Sequence, residues 1–361
     1  MRVLHAADFH LDSAFGALTA EQARQRRAES RRSPERLVEW ANDHGVQLML
    51  LAGDLFDGGE LRGDTAPLLA RALGVFRGRV VIAPGNHDPY TPDGPYARTL
   101  WPDNVHIFTE DRMQAVTFPE LGCTVYGAAF TAPELPEDHV LAGFTAPGDG
   151  LIHIGLLHGD VTGGDSRYRP LTTASIAASG LDYLALGHVH GCTGAVRAGR
   201  VTYGYCGCPE GRGFDELGDR GFLYGDIGPG TAELRFVAFA RRRYRVWEAD
   251  VTDGEALAAV ERMLPQDTAE DICRLRLVGA PEEPVSLPLL ERALAGRFFA
   301  LQLRDDTTVR REVWDRCGED TLRGLFLQEL RREYDGADEE TRRRIELAAR
   351  FGVAAMDNRE V

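Results

Sequence analysis

Near its beginning the chain reads RVLHAADFH (residues 2–10), an apolar run that ends in an Asp-x-His pair. Four further apolar runs lead into GDLFD (53–57), GNHD (85–88), His158 and GHVH (187–190). Short apolar runs that end in polar residues are typical of buried strands. Because the polar residues in all five segments are of metal-ligand types, we expect these strand ends to meet at one two-metal centre.

The spacing of the candidate ligands supports this interpretation. Asp8 and His10 are two residues apart, so on an extended backbone their side chains point the same way. His188 and His190 repeat that spacing. Asp54 follows an apolar strand directly, a position from which one carboxylate can bridge two cations. Mixed carboxylate, amide and imidazole ligation suits Mn²⁺ or Fe, is compatible with Zn²⁺, and suits Mg²⁺ less well.

Each motif taken separately also has an ordinary structural explanation. A single Asp-x-His pair occurs by chance in many chains, and Gly53-Asp54 alone could form a turn after a strand. The occurrence of all five motifs in this order favours a site. His5 lies inside the first apolar run, and we expect it to be a core residue. For Cys206-Gly207-Cys208 we expect a tight turn or core packing rather than metal binding.

Composition limits the class of protein. The chain has 361 residues, 43% hydrophobic and 27% charged, which predicts a large globular domain with one or two smaller ones. Its net charge of −15 is unfavourable for binding nucleic acid, although a local basic patch or a basic partner would be sufficient. All 41 basic residues are arginine. We therefore expect no P-loop ATPase site and no lysine-based catalysis.

Apolar runs and cysteine spacing bear on location. No apolar run approaches the length of a membrane span, and the first strand motif leaves no room for a signal peptide. The six cysteines lack the spacing of a disulfide scaffold, as in proteins of a reducing compartment. We therefore expect a cytoplasmic protein that does not associate with membranes.

The pattern of apolar runs predicts three domains. Residues 1–240 alternate strands with helices and then become β-rich, which predicts an α/β fold with two facing sheets and helices outside. Within this domain, Ser33 as N-cap and Pro34 at the first helical position predict the start of a helix. Residues 241–308 predict a small α+β cap domain, and residues 309–361 a helical segment.

The five motifs together resemble the signature of the calcineurin-like metallophosphoesterases: D-x-H, G-D-x-x-D, G-N-H-D, a single His after a strand, and G-H-x-H. Within that superfamily, residues 2–12, 52–57 and 205–212 are similar to the bacterial SbcD-type DNA repair nuclease subunits. The resemblance covers residues 1–240 and implies a four-layer αββα metallophosphoesterase sandwich. Beyond residue 240 it extends only to a small cap domain followed by helices.

The resemblance also implies two divalent metal ions, for which Mn²⁺ is the most suitable and Fe or Zn an alternative. It assigns Asp8, His10, Asp54 and His190 to one ion, and Asp54, Asn86, His158 and His188 to the other. His87 would be the catalytic residue that faces the scissile phosphate, with Asp88 as its orienting partner. Asp57 stands where some relatives carry histidine, which leaves its role open.

The implied activity is hydrolysis of DNA in double-strand-break repair, as an exonuclease and single-strand endonuclease. The implied assembly is a homodimer beside an SbcC-like SMC-type ATPase. The absence of a Walker lysine from this chain fits an assembly in which the partner hydrolyses ATP. Two alternatives stay open: a phosphodiesterase for a small nucleotide, and a scaffold subunit that regulates the ATPase. The net charge mildly favours the first, and the intact ligand set disfavours the second.

Arginine clusters supply candidate DNA contacts. The candidates are Arg26, Arg27, Arg31, Arg32 and Arg212. The first four could bind phosphates or could form a solvated helical face with interleaved glutamates. Arg241–Arg245 could form interdomain salt bridges or contact a duplex. The apolar faces at Leu322–Leu330 and Ile345–Met356 could dock on the ATPase or pack against the chain's own cap domain.

Overall fold

The computed structural model describes residues 1–58, 63–137, 140–161, 166–309 and 311–356, without the side chains of residues 311 and 312. The chain divides into two compact units, Met1–Arg243 and Tyr244–Val361. The further division of the second unit at residue 308 stays a prediction.

The first unit alternates strands and helices, as the apolar runs predicted. Its strands are β1 (Arg2–Ala6), β2 (Leu48–Leu51), β3 (Arg79–Ile82), β4 (Val105–Ile107), β5 (Gln114–Phe118), β6 (Cys123–Gly127), β7 (Ile152–His158), β8 (Tyr183–Gly187), β9 (Val196–Ala198), β10 (Val201–Tyr205), β11 (Gly221–Gly228) and β12 (Thr231–Ala238). Its helices are α1 (Ala20–Arg31), α2 (Ser33–Asp43), α3 (Thr65–Gly74), α4 (Pro95–Arg98) and α5 (Thr173–Ala178).

These strands form two six-stranded sheets, in the orders β12-β11-β1-β2-β3-β4 and β5-β6-β7-β8-β10-β9. In the first sheet β1 to β4 are parallel, and β11 and β12 pair antiparallel beside them. In the second sheet β6, β7, β8 and β10 are parallel, with antiparallel strands at both edges. Parallel pairing places the carboxyl ends of the central strands at one edge, which is where α/β proteins bind ligands.

The inner faces of the two sheets pack against each other in one apolar core. Val3, Leu50 and Val81 of the first sheet belong to the same buried cluster as Ile154 and Leu156 of the second. Because side chains alternate along a strand, the neighbours of these residues point away from this core.

Helices cover the outer faces. Leu37 of α2 and Leu69 of α3 pack in a cluster with Met49 of the first sheet. Ile176 of α5 packs in a cluster with Leu157 of the second sheet. The order of layers is therefore helix, sheet, sheet, helix, which confirms the αββα sandwich predicted for residues 1–240.

The arginine-rich segment before α2 is itself the helix α1. A capping box begins it, in which the Gln22 amide donates to the Thr19 hydroxyl and the Thr19 amide donates to the Gln22 side chain. The prediction that Ser33 caps α2 was wrong, since Arg32 occupies the cap position. The two helices follow each other so closely that the Ser33 hydroxyl donates to the Ser30 carbonyl at 2.6 Å.

The second unit contains a three-stranded parallel sheet with its own core. Strands and helices alternate as β13 (Tyr244–Asp250), α6 (Ala256–Met263), β14 (Ile272–Val278), α7 (Leu287–Ala293) and β15 (Ala300–Asp305), followed by α8 (Arg311–Asp315), α9 (Leu322–Tyr334) and α10 (Glu339–Met356). Among the described residues, no helix has the length and apolar character to span a membrane.

The two apolar faces predicted on the C-terminal helices are divided between core and surface. Leu327 of α9 and Ile345 of α10 are buried within this unit, whereas Leu322 and Leu325 are 75% and 60% exposed. Packing inside the unit therefore uses one part of the apolar surface and leaves another part open to solvent.

Candidate metal centre

The five motifs meet at the carboxyl ends of the parallel strands, where the two sheets face each other. Loops after β1, β2 and β3 carry Asp8, His10, Asp54 and Asn86, and the ends of β7 and β8 carry His158, His188 and His190. Hydrogen bonds join these loops. The His10 amide donates to the Asp54 carbonyl at 2.9 Å, and the His188 amide donates to the Asp8 carboxylate at 3.1 Å.

One half of the cluster surrounds the His10 imidazole. Its Nε2 lies 3.2 Å from Nε2 of His190 and 3.6 Å from Oδ2 of Asp54. Ligand atoms of Asp8, His10 and His190 all lie within 4.8 Å of one another, as a shared cation requires.

The other half surrounds the His158 imidazole. Its Nε2 lies 2.9 Å from Oδ1 of Asn86 and 3.4 Å from Oδ2 of Asp54. Nδ1 of His188 lies 3.2 Å from the same Asn86 oxygen. Since Asp54 Oδ2 lies beside both His10 and His158, the geometry fits a carboxylate shared by two cation positions.

The chemistry of this cluster fits divalent cations. Burial and the neighbouring charge of Asp54 raise the pKa of Asp8 well above its usual range. Burial lowers the pKa of His10 to about 4 and that of His158 to about 3, so both imidazoles are neutral at pH 7. Buried carboxylates repel each other, and neutral imidazoles offer lone pairs, so bound cations would satisfy both kinds of group.

The backbone at the cluster is strained. Asp8, His10, Asp54 and His188 have φ angles of 55°, 43°, 51° and 106°, a region that residues other than glycine rarely adopt. Such conformations cost about 1–3 kcal/mol each and concentrate at functional sites, where the surrounding structure maintains them. A Cβ on Gly85 would lie 2.2 Å from the Asp54 carboxylate, so glycine is required for this close approach.

Outer hydrogen bonds determine which nitrogen of two imidazoles faces the cluster. Nδ1 of His158 lies 2.8 Å from the Ala52 carbonyl oxygen, and Nδ1 of His190 lies 2.7 Å from Glu216 Oε1. Both rings thereby present Nε2 to the candidate cation positions, the arrangement seen for histidine ligands in proteins.

Glu216 was missed by the sequence analysis. It is 3% exposed, and its carboxylate also pairs with Arg212 at 3.0 Å. Burial alone would raise the pKa of Glu216, but the hydrogen bond with His190 and the charge of Arg212 lower it to about 2. Glu216 lies in an irregular loop, 26 positions after His190, so no motif spacing identifies it.

His87 lies at the solvent edge of the cluster. Its side chain is 48% exposed, and its Nδ1 lies 3.7 Å from Oδ1 of Asp57. The ring centroid is 4.8 Å from that of His10, with the two rings nearly perpendicular. The exposed imidazole is therefore within reach of a substrate that approaches the candidate cations.

The structure differs from the expectation that Asp88 orients His87. Asp88 is 4% exposed and points into the motif loops, whereas the carboxylate beside the His87 ring belongs to Asp57. The donors to Asp88 are the amides of Asp54, Leu55, Phe56 and Gly85 and the hydroxyl of Tyr96. Asp88 therefore stabilises the loops that carry candidate ligands.

Arg26 does not fit the prediction of a DNA contact. It is fully buried, and its guanidinium pairs with Glu29 at 2.9 Å and with Glu210 at 3.1 Å. Its position on the inner side of α1 keeps it from the surface, so the assignment of Arg26 to phosphate binding was wrong.

The other candidate arginines are more accessible. Arg32 is exposed, Arg27 donates to the Ala14 carbonyl at 2.9 Å, and Arg31 pairs with Asp64 at 2.6 Å. Arg212 lies beside His190, and its side chain is 21% exposed. Of these, Arg212 is next to the candidate metal centre.

The junction arginines form ion pairs within their own units. Arg241 and Arg242 both pair with Glu29, at 3.7 and 2.7 Å, in the first unit. Arg245 pairs with Asp271 at 3.0 Å in the second. These ion pairs give three of the arginines near the domain junction a carboxylate partner within their own unit.

Two expectations about core residues are confirmed. His5 is fully buried, with Nδ1 2.8 Å from the Tyr183 hydroxyl and Nε2 3.1 Å from the Leu186 carbonyl. Cys206 and Cys208 are also fully buried, around a turn at Gly207 with φ of 75°.

Comparison with known proteins agrees with this geometry. Residues 1–192 match the family model of the calcineurin-like phosphoesterases. The chain is 32% identical over 292 residues to YhaO of Bacillus subtilis (strain 168), an uncharacterized metallophosphoesterase. This match covers 77% of this chain and 69% of YhaO. It is 35% identical over 94 residues to a component of the nuclease SbcCD of Rhodobacter capsulatus, 25% of this chain and 22% of that protein. The chain therefore belongs to the calcineurin-like phosphoesterases, a family of metal-dependent hydrolases.

Proposed function

We propose that this chain is a two-metal phosphodiesterase that hydrolyses DNA, as an exonuclease and single-strand endonuclease in double-strand-break repair. The observation that carries phosphodiester hydrolysis is the half-exposed His87 imidazole beside a buried cluster of cation ligands. DNA as the substrate rests on the sequence resemblance to SbcD-type proteins and on the 94-residue similarity to a component of a nuclease.

The proposed ligand assignment follows the two halves of the cluster. One cation is held by Asp8, His10, Asp54 and His190, and the other by Asp54, Asn86, His158 and His188. When bound, two divalent cations, most suitably Mn²⁺, supply Lewis acidity at the phosphate.

His87 is the proposed general acid. Its exposed imidazole donates a proton to the leaving oxygen of the cleaved diester. Asp57 Oδ1 lies 3.7 Å from Nδ1 of His87 and 3.5 Å from Nδ1 of His10, so one carboxylate lies beside both rings. The neighbouring His10 imidazole lowers the pKa of Asp57, which keeps this carboxylate ionised.

Surface residues outside the cluster supply the proposed partner contacts. Arg27, Arg31, Arg32 and Arg212 are proposed to bind DNA phosphates. The exposed leucines of α9 are proposed to dock on the coiled coil of an SbcC-like SMC-type ATPase, with the chain acting as a homodimer in the cytoplasm. A pull-down of the ATPase by a chain truncated at residue 310 tests the docking, since unchanged capture would contradict it.

The decisive experiment is Mn²⁺-dependent digestion of 3′- and 5′-labelled duplex and single-stranded DNA by wild type and His87→Ala. We expect His87→Ala to lose at least about 100-fold in turnover, the usual effect of removing a general acid, and to keep Mn²⁺ binding. His44→Ala, which removes an exposed histidine next to Trp40, is the matched control and should cleave normally. Asp54→Ala should lose both cation binding and cleavage.

A small-substrate phosphodiesterase is the second candidate, and the net charge of −15 favours it. Bis-p-nitrophenyl phosphate serves as a generic diester in the same assay. Its cleavage with DNA left intact, both alone and with the ATPase partner added, would contradict the nuclease proposal. Cleavage of DNA only when the partner is present would support it.

A further inference from the structure

Arg169 is buried behind the candidate ligand His158. It is 1% exposed, and its Nη1 donates to the carbonyls of His158 and Ala128, each at 3.2 Å. Its Nη2 donates to the Ala129 carbonyl at 2.6 Å. Since Ala128 follows β6 and His158 ends β7, one guanidinium joins the carboxyl ends of two neighbouring strands.

Arg169 also contacts the His158 ring through Phe130. The guanidinium carbon lies 4.6 Å from the centroid of the Phe130 ring, a cation–π distance. That ring meets the His158 imidazole at 5.5 Å and 90°, an edge-to-face contact. The Phe130 amide donates to the Pro84 carbonyl at 2.9 Å, which connects it to the loop that carries Asn86.

The conformation of Arg169 is costly. Its φ is +47°, in the left-handed region, and burying a guanidinium is unfavourable unless hydrogen bonds satisfy it. Arginine can satisfy several carbonyls at once because its donors are fixed in a planar fork. Lysine carries a single compact ammonium that cannot reproduce this geometry or the flat contact with an aromatic ring.

We propose that Arg169 is a positioning residue that fixes His158 and thereby sets the affinity of the cation position formed by Asp54, Asn86, His158 and His188. This inference rests on the proposed ligand assignment and not on the identity of the substrate. The His158 ring is held at both nitrogens: Nδ1 lies beside the Ala52 carbonyl and Nε2 beside the Asn86 oxygen. A shift of the His158 backbone would disturb both contacts and move Nε2 relative to Asn86.

Mn²⁺ binding to the full chain without substrate tests the proposal. Titration followed by the electron paramagnetic resonance of free Mn²⁺ gives the number of ions and the affinity of each. In Arg169→Lys we expect one ion to bind as in wild type and the other about 10- to 100-fold more weakly, the usual effect of losing an outer partner of a metal ligand. Arg167→Lys is the matched control, since Arg167 is exposed and pairs with Glu134 at 3.1 Å. It should bind both ions as wild type does.

The melting temperature of the metal-free protein distinguishes positioning from general support of the fold. Wild-type affinity for both ions in Arg169→Lys would overturn the proposal. An equal loss of affinity for both ions, together with a lower metal-free melting temperature, would also overturn it. Arg169 would then support the fold as a whole.

A second variant keeps the proposal testable if Arg169→Lys does not fold. Phe130→Leu removes the ring between Arg169 and His158 and leaves the three carbonyl contacts in place. We expect this variant to lower the Mn²⁺ affinity of the same single cation position. Unchanged binding of both ions would count against the proposal. Because no DNA is present, failure of this test and failure of the nuclease proposal are separate results.

Discussion

The contact between Nδ1 of His190 and Glu216 Oε1, at 2.7 Å, is a short hydrogen bond to a candidate ligand imidazole. A buried carboxylate in this position raises the basicity of the ring and fixes its orientation. Arg212 keeps the carboxylate ionised, since its charge helps to lower the pKa of Glu216.

Glu216→Gln should therefore weaken cation binding. The amide retains the size of the side chain but loses the charge that pairs with both His190 and Arg212. We expect Mn²⁺ affinity to fall about 10-fold or more at one position. Calorimetric titration measures it, with Asp215→Asn, an exposed neighbour, as the control. Equal affinity in the two variants would show that the carboxylate has no such role.

Asp88→Asn tests the structural role of a residue first expected to act beside His87. Its carboxylate accepts hydrogen bonds from backbone amides and from Tyr96, and an amide NH₂ group would face those donors instead. Each buried hydrogen bond lost costs about 1–3 kcal/mol, so the free energy of unfolding should fall by about 2 kcal/mol or more.

Urea unfolding of the metal-free protein measures this loss. Asp93→Asn, in an ion pair whose side chains are 88% and 68% exposed, should unfold at the wild-type midpoint. His87→Ala should do so as well. A wild-type urea midpoint for Asp88→Asn would contradict the structural role and would favour a catalytic role for Asp88.

Single residues show where sequence analysis succeeds and where it stops. Motif spacing predicted which ligand types would gather, because strand ends of one sheet edge must lie together, and the structure gathers Asp8, Asp54 and His158 there. It could not predict Glu216, or the burial of Arg26. Those depend on which side chains meet across loops and helices of irregular geometry.

At the level of secondary structure, ion pairs connect α1 to the end of the first unit. Glu29 accepts hydrogen bonds from Arg26 at 2.9 Å and from Arg242 at 2.7 Å. Burial alone would raise the pKa of Glu29, but these arginines lower it from 4.5 to about 2. The stabilisation by Glu29 is therefore fully present above about pH 4.5 and is lost as the pH falls towards 2.

Glu29→Gln should lower the free energy of unfolding at pH 7 by about 2–3 kcal/mol and remove most of this pH dependence. Urea unfolding at pH 7, 4 and 3 tests both effects. The control is Glu39→Gln, an exposed residue on α2, which should keep the wild-type acid sensitivity. If Glu29→Gln and wild type lose stability in parallel below pH 4.5, other groups are responsible.

The close approach of the two sheets makes a second prediction at this level. A Cβ on Gly187, the last residue of β8, would lie 1.9 Å from the Ala52 carbonyl oxygen and 2.9 Å from Cβ of Ala7. Gly187→Ala should therefore push the strand ends apart, lower the melting temperature and weaken Mn²⁺ binding. Gly148→Ala, with no atom within 4 Å of the added Cβ, should change neither property. Wild-type behaviour of Gly187→Ala would mean that the sheets can separate at little cost.

The strands that lead into the five motifs were predicted, because each is a short apolar run that ends at polar residues. No strand was predicted at Val105–Ile107, Gln114–Phe118 or Cys123–Gly127. The first has only three residues, all partly exposed, and the second alternates as an edge strand. Their pairing is set by neighbouring strands in the sheet rather than by local apolar pattern.

At the scale of the whole molecule, the buried cores are separate. Three apolar clusters contain only residues of the first unit, and a fourth contains only residues of the second. Residues 1–243 should therefore fold alone and bind two Mn²⁺ ions with the affinity of the full chain. Differential scanning calorimetry and Mn²⁺ titration of this fragment measure both properties.

A shorter fragment, residues 1–192, is the control. It ends before β10, which pairs with β8, and before β11, which pairs with β1 in the middle of its sheet. We expect this fragment not to fold. If residues 1–243 also fail to fold, the second unit is required for the stability of the first.

The candidate ligands come from both sheets and span positions 8 to 190, so the centre forms only when distant parts of the chain have already paired. Contacts of such long sequence separation develop late in folding, because loop closure must come first. Cations would then stabilise the native state without stabilising the transition state. Mn²⁺ should therefore slow unfolding in proportion to its affinity and leave the refolding rate almost unchanged.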